Sequence, residues 1–433
     1  MTLRSRYDRE ILRLALPALG ALAAEPLYVL VDTAVVGHLG RSQLAALGVA
    51  STLFSALAMF NFLQYGTTAQ TARAIGAGED ETAARLGGQT LWLSLAFGVA
   101  LAGLIAALAE PIVHVVGARG QTAEYAVTYV RIVAIGVPSA FLTLGGQGFL
   151  RGVSDLRTPL IFVLGGNAAN VILEVWFVYG LHWGIRGSAW GTAIAQTGMG
   201  LGIAWAILRR IGRRNAVFRL ALARRLLAIG KHIFVRTAAL MSSFVLAGAV
   251  IARSGDAALA AHQIAFQLWI LLALVLDAVA IAGQIIVGRE LGAARPEDAY
   301  AASARMIELS VGLGAVFTVL LFAFQDVLPR AFTSDAEVLA QCALVWPLFA
   351  LMQPLNGAVF ALDGILIGAS DGAYLAASMV TAFVCCATVL VACLNRGWGI
   401  QGVWSALVLL IVVRLLTLGL RFRRRRWLVT GWA

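Results

Sequence analysis

Twelve stretches of this chain are each apolar and long enough to cross a bilayer. They lie at residues 11–37, 43–73, 85–109, 122–149, 158–180, 187–209, 227–252, 257–288, 299–325, 335–368, 373–394 and 400–420. A helix crosses the hydrocarbon core with about 20 apolar residues, and only helices and closed barrels satisfy their own backbone hydrogen bonds in lipid. The runs are rich in Leu, Ala, Val and Gly and lack period-two alternation, which excludes a β-barrel. An all-α integral membrane fold with twelve transmembrane helices is expected. Composition agrees, because 60% of the 433 residues are apolar and only 13% are charged. Soluble domains are about 45–50% apolar and about 25% charged, so a soluble enzyme and a disordered chain are excluded. Four cysteines with no C-x-x-C pair exclude a disulfide framework and a cysteine-based zinc site.

The formal net charge of +11 does not point to nucleic acid, because the basic residues gather at the ends of the apolar runs. Assigning alternate loops to opposite faces gives one face Arg41, Arg119, Arg186, Arg253, Arg330 and Arg396, six of the 33 basic residues. The other face carries 24, including Arg4, Arg6, Arg9, the 209–231 stretch and the 421–426 tail, and Arg131, Arg236 and Arg414 fall within helices. The positive-inside rule then places both termini in the cytoplasm of a prokaryotic plasma membrane. Arg4 to Arg13 followed by LALPALGALAA looks like a signal peptide with an A-x-A site. The apolar run continues through Pro26 to Val31, so the first span is expected to be retained.

The chain is internally duplicated with an offset of about 215 residues. PSAFLTLGGQGFLRGVSD at 138–155 matches PLNGAVFALDGILIGASD at 354–371, WGIRG at 183–187 matches WGIQG at 398–402, and the Leu-Ala-Ala at 44–46 matches that at 259–261. Six spans return each half to its starting side, so the halves are parallel repeats, the plan of alternating-access transporters with a cleft between two bundles. The expected division is an N-terminal lobe at 1–212, a basic cytoplasmic linker at 213–225 and a C-terminal lobe at 226–433. Apolar and basic residues alternate through 209–231 at rough helical spacing, which suits a segment at the headgroup surface.

Acids within a membrane span are costly and mark functional positions. Asp32 lies well inside span 1 with Tyr28 one turn earlier on the same face. Pro17 and Pro26 interrupt the hydrogen-bond ladder of that helix and mark it as a hinge. In span 5, Asn170 and Glu174 are spaced i, i+4, and Thr192 in span 6 adds a hydroxyl. The second-half counterparts of Asp32 and Glu174 are near Ala247 and Leu390, so the repeats have diverged at these places. Second-half acids sit elsewhere, at Asp277 and Asp363, with Gln147 opposite Asp363 in the repeat alignment. These three and Glu25 are candidate cavity residues. Each acid also has a bland reading as a helix-packing group bonded to a neighbour.

LVDTAVVGHLG at 30–40, GNAANVILEVWFVYGLHWGIRGSA at 166–189 and QPLNGAVFALDGILIGASD at 353–371 resemble the multidrug and toxic-compound extrusion (MATE) family, and its DinF-like branch in particular. The resemblance runs in order along essentially the whole chain. It implies two six-helix lobes and the exchange of a bulky, often cationic, organic compound for H⁺ or Na⁺. It implies a first-lobe cation-coupling network at Asp32, Asn170, Glu174 and Thr192, with Tyr28 nearby. The same four oxygen-bearing residues are the implied Na⁺ ligands. Glu174 stands where the family usually has Asp, and span 7 lacks the acid found in another branch. The partners are therefore small organic cations and the lipid bilayer, with no nucleic acid, no cofactor and a monomeric carrier expected.

Two other classes share part of this pattern. A flippase for lipid-linked precursors shares the double-bundle plan but needs a basic cavity for pyrophosphate. An integral membrane enzyme needs a catalytic cluster. The five histidines are scattered, and there is no HExxH, GxSxG or Walker loop.

Overall fold

The computed structural model describes residues 6–432, so Arg4 lies outside the described residues. Those residues form fifteen α-helices with short 3₁₀ and π turns, and no strand occurs among them. In chain order the first half contains α1 (Asp8–Gly37), α2 (Arg41–Ser55), α3 (Phe62–Gly76), α4 (Asp80–Val115), α5 (Gly120–Ala134), α6 (Val137–Gly152), α7 (Arg157–Val175) and α8 (Ile185–Ile211). The second half contains α9 (Leu220–Ile251), α10 (Asp256–Gly292), α11 (Pro296–Ala323), α12 (Ala336–Leu351), α13 (Gln353–Gly368), α14 (Gly372–Arg396) and α15 (Gly399–Arg423).

Ten helical segments are long and apolar enough to span a membrane, and twelve when two bent pairs are each taken as one span. The pairs are α5 with α6, bent by 53°, and α12 with α13, bent by 49°. Both bends precede a proline near the start of the following helix, Pro138 in α6 and Pro354 in α13. Proline supplies no N–H there, so the ladder breaks at the repeated P of the duplicated motif. The second span is also interrupted, by a 3₁₀ stretch at Ala56–Asn61 between α2 and α3. By contrast α1 runs helical through both Pro17 and Pro26.

The chain divides into two compact units, Pro17–Ala228 and Met1–Leu16 with Ile229–Ala433. The beginning of α1 thus belongs with the second unit, where Arg305 Nε binds Asp8 at 2.7 Å, Arg289 binds Glu10 at 2.7 Å and Ile11 is buried. The linker is shorter than its basic composition suggests. Helix α9 begins at Leu220, so the alternating pattern after 219 is its first turns, and only residues 212–219 lie between α8 and α9. That connection is held to α4: Gln89 Nε2 donates to the Val217 carbonyl at 2.8 Å, Arg219 N donates to Gln89 Oε1 at 2.7 Å, and Trp92 Nε1 donates to the Ala216 carbonyl at 2.7 Å.

Helices in lipid gain little from apolar burial against one another and depend on close approach through small residues. The duplicated glycines do this in both units. A Cβ on Gly148 would lie 2.5 Å from the Gln64 carbonyl oxygen, and one on Gly364 would lie 2.3 Å from that of Ala280. The repeats also share a corner in which Ser154 and Ser370 adopt left-handed φ of 61° and 60°. The aspartate after each serine binds an arginine near the end of the last helix of its half, Asp155 with Arg210 at 3.3 Å and Asp371 with Arg421 at 2.7 Å.

Candidate functional site

The first unit gathers polar side chains from four helices. Asp32 on α1, Asn170 and Glu174 on α7 and Thr192 on α8 are all buried, as is Tyr129 on α5. Tyr28 Oη and Thr192 Oγ1 are 3.0 Å apart, and Asn170 Nδ2 donates to Thr192 Oγ1 at 3.2 Å. Ser188 Oγ donates to Asp32 Oδ1 at 2.8 Å. The Glu174 carboxyl lies beside Asp32 and Ser188 without a hydrogen bond to either. Gly191 lets α8 approach α7 closely at this level, since a Cβ there would come within 3.1 Å of the Glu174 backbone nitrogen.

Hydrogen bonding around the pair is incomplete. Neither carboxyl oxygen of Glu174 has a donor, although the residue is 0% exposed, and Asn170 Oδ1 is likewise unpartnered. Buried polar oxygens ordinarily find donors, and two ionised carboxylates side by side repel. A shared proton or a small cation would supply what is missing. The oxygens present, two carboxylates, an amide and a hydroxyl, are the donor set that a hard monovalent cation takes.

A cavity of about 580 Å³ adjoins this cluster within the first unit. Asp32, Tyr28, Asn170 and Thr192 form part of its wall, and Glu25 and Gln147 face it as well. Phe54, Phe141 and Met199 give it apolar surface, Asn167 and Gln196 add amides, and no Lys, Arg or His is among its lining residues. Its charge is therefore acidic.

The second-unit residues depart from expectation. Asp363 is not an open cavity acid, because its carboxylate is ion-paired with both Arg236 and Arg414 and it is buried on α13. The pairing follows from burial, since a carboxylate and guanidinium groups within reach in a low dielectric are tolerated only together. Its repeat counterpart Gln147 accepts from Arg151 at 3.2 Å and from Gln64 at 3.2 Å, with a neutral amide oxygen in place of the carboxylate. Asp277 is half-buried on α10 and is not part of the first-unit cavity.

Sequence reasoning missed Ser188 and Tyr129. Ser188 carried a signal, because it lies one turn before Thr192 on the face that meets Asp32. Tyr129 carried none that separates it from a packing aromatic.

Twelve spans in two duplicated bundles, with a polar cavity inside one of them, define a multi-pass membrane transporter. The MatE family model matches twice, at residues 17–176 and 233–392, once in each repeat. The chain belongs to the MATE family and is DinF-like. It is 32% identical over 425 residues to Protein DETOXIFICATION 44, chloroplastic, of Arabidopsis thaliana, covering 95% of this chain and 81% of that one. It is 30% identical to DNA damage-inducible protein F of Escherichia coli (strain K12), covering 98% of this chain and 94% of the relative. A MATE structure solved in a bent conformation shares the fold with a TM-score of 0.89 at 21% identity, over 98% of this chain and 96% of that one. The chain is thus an efflux-type transporter, a class that handles small organic compounds.

Proposed function

We propose that this protein is a secondary active antiporter that exports bulky cationic organic compounds in exchange for H⁺ or Na⁺ by alternating access. The observation that carries the reading is the pair Asp32–Glu174, with both Glu174 oxygens lacking donors beside a cavity that no basic residue lines. Asp32, Glu174, Asn170 and Thr192 hold the coupling cation and Tyr28 positions Thr192. Glu25, Gln147 and the aromatic wall receive the cargo, whose positive charge suits the acidic lining. Cation entry cancels one charge of the pair. The portion of α1 after Pro17 and Pro26 then changes its path and reshapes the cavity.

The same absence of basic residues in the lining disfavours the flippase reading, because a pyrophosphate needs cationic donors. The chain works as a monomer, with its two six-span halves as the two lobes. It lies in a prokaryotic plasma membrane with both termini cytoplasmic.

The test is efflux of a cationic dye from proteoliposomes under an imposed proton or sodium gradient. Asp32→Asn and Glu174→Gln abolish gradient-driven efflux with expression intact, and Glu174→Asp retains it. Wild-type dye export by Asp32→Asn overturns the mechanism.

A further inference from the structure

At the basic end of the first unit, a second pocket of about 400 Å³ lies between α7 and α8, away from the cation cluster. Its wall contains Asp155 and Thr158 at the start of α7 and Trp205, Arg209 and Arg210 near the end of α8. Asp155 is fully engaged locally. It accepts from Thr158 N at 3.1 Å, from Thr158 Oγ1 at 2.9 Å and from Arg210 at 3.3 Å. Arg209 instead lies over the Trp205 ring, 4.7 Å from its centroid, and pairs with no carboxylate among the described residues. The pocket therefore keeps one uncompensated guanidinium, placed over an aromatic ring.

The surface below it is apolar. Leu201, Trp205 and Leu208 on α8 are 57%, 56% and 40% exposed and follow one another at i, i+4 and i+7, a single stripe along the helix. Ile161 and Leu164 of the adjoining α7 are exposed too. Exposed apolar residues on membrane spans face acyl chains, and tryptophan and arginine at a span end sit at headgroup level. A headgroup phosphate placed on Arg209 would continue into chains lying along this stripe.

We propose that this pocket binds an anionic glycerophospholipid, with its phosphate on Arg209 and Arg210, its headgroup against Trp205 and an acyl chain along Leu201 and Leu208. Charge complementarity and the continuous apolar stripe select a lipid over a soluble phosphate, which has no use for the stripe. The site is separate from the cargo cavity and does not depend on which cation drives transport.

The experiment is native mass spectrometry of the full-length protein titrated with phosphatidylglycerol or phosphatidylcholine. Arg209→Gln weakens binding of the first phosphatidylglycerol about fivefold, the factor expected for one basic residue at an anionic surface. It weakens phosphatidylcholine binding less, because the choline cation offsets the charge of that lipid's phosphate. Arg213→Gln, an exposed residue of the connection outside the pocket, leaves both unchanged. Trp205→Ala weakens both lipids. Equal losses for Arg209→Gln and Arg213→Gln would reduce the effect to diffuse surface charge and overturn the site. Displacement of the lipid by millimolar inorganic phosphate alone would overturn the assignment to a lipid.

Discussion

Ser188 on α8 donates its hydroxyl proton to Asp32 on α1 at 2.8 Å, joining residues 156 positions apart beside the unpartnered oxygens of Glu174. A hydrogen bond to a charged group contributes about 1.5–3 kcal/mol. Ser188→Ala leaves Asp32 without this donor and slows gradient-driven efflux about tenfold or more, the factor matching that range. Ser188→Thr keeps the hydroxyl and most of the rate. Efflux assays on equal amounts of folded protein measure this, and an unaffected Ala variant would remove Ser188 from the site.

Asp363→Asn acts on stability instead of coupling. It leaves the buried Arg414 and half-buried Arg236 guanidinium groups without their shared carboxylate. Breaking a buried pair from one side costs about 3–5 kcal/mol. The variant is expected to accumulate poorly and to melt at lower temperature in detergent, whereas Asp32→Asn accumulates normally. A well-folded Asp363→Asn protein that has lost all cation-driven transport would assign the second unit a part in coupling.

Close helix contact gives a third expectation. Gly148→Ala and Gly364→Ala press a methyl group into backbone at 2.5 Å and 2.3 Å. Overpacking of this kind costs about 1–3 kcal/mol. Gly165→Ala, which meets nothing within 4 Å, is the control and leaves the melting temperature unchanged. Equal behaviour of all three would mean that the glycines are not needed for packing.

Topology is testable by labelling single cysteines placed in a background lacking the four native ones. Positions beside Arg119 and Arg330 react with impermeant reagent in intact cells, and positions beside Arg214 and Arg424 react only after permeabilisation. Reaction beside Arg214 in intact cells would overturn the proposed orientation.

The spans were legible in the sequence because crossing a membrane is a property of local composition, and each apolar run corresponds to a helix or a bent pair. The bends themselves were not read, although Pro138 and Pro354 stood in plain view, because a proline fixes a missing hydrogen bond but not the path of the helix after it. Asp32, Asn170, Glu174 and Thr192 were legible as polar residues in apolar runs, two of them one turn apart. Asp363 was misread because its meaning depends on Arg236, 127 positions away, and Arg414, 51 positions away. Spacing along one helix carries no information about such partners. The end of the linker was misplaced for a related reason, since basic residues in the first turns of a span look the same as basic residues in a loop.

The unsatisfied Glu174 oxygens also have an electrical meaning. A cation that reaches them from outside the membrane traverses part of the transmembrane field, and full passage of one charge is worth about 2.3 kcal/mol per 100 mV. Exchange of one monovalent cation for one monovalent cationic cargo moves no net charge, so voltage adds nothing to its driving force. Exchange of the same cation for a neutral cargo carries current. At one cation per cargo, the charge of an unidentified cargo can therefore be read from the current that accompanies its export, before its chemical structure is known.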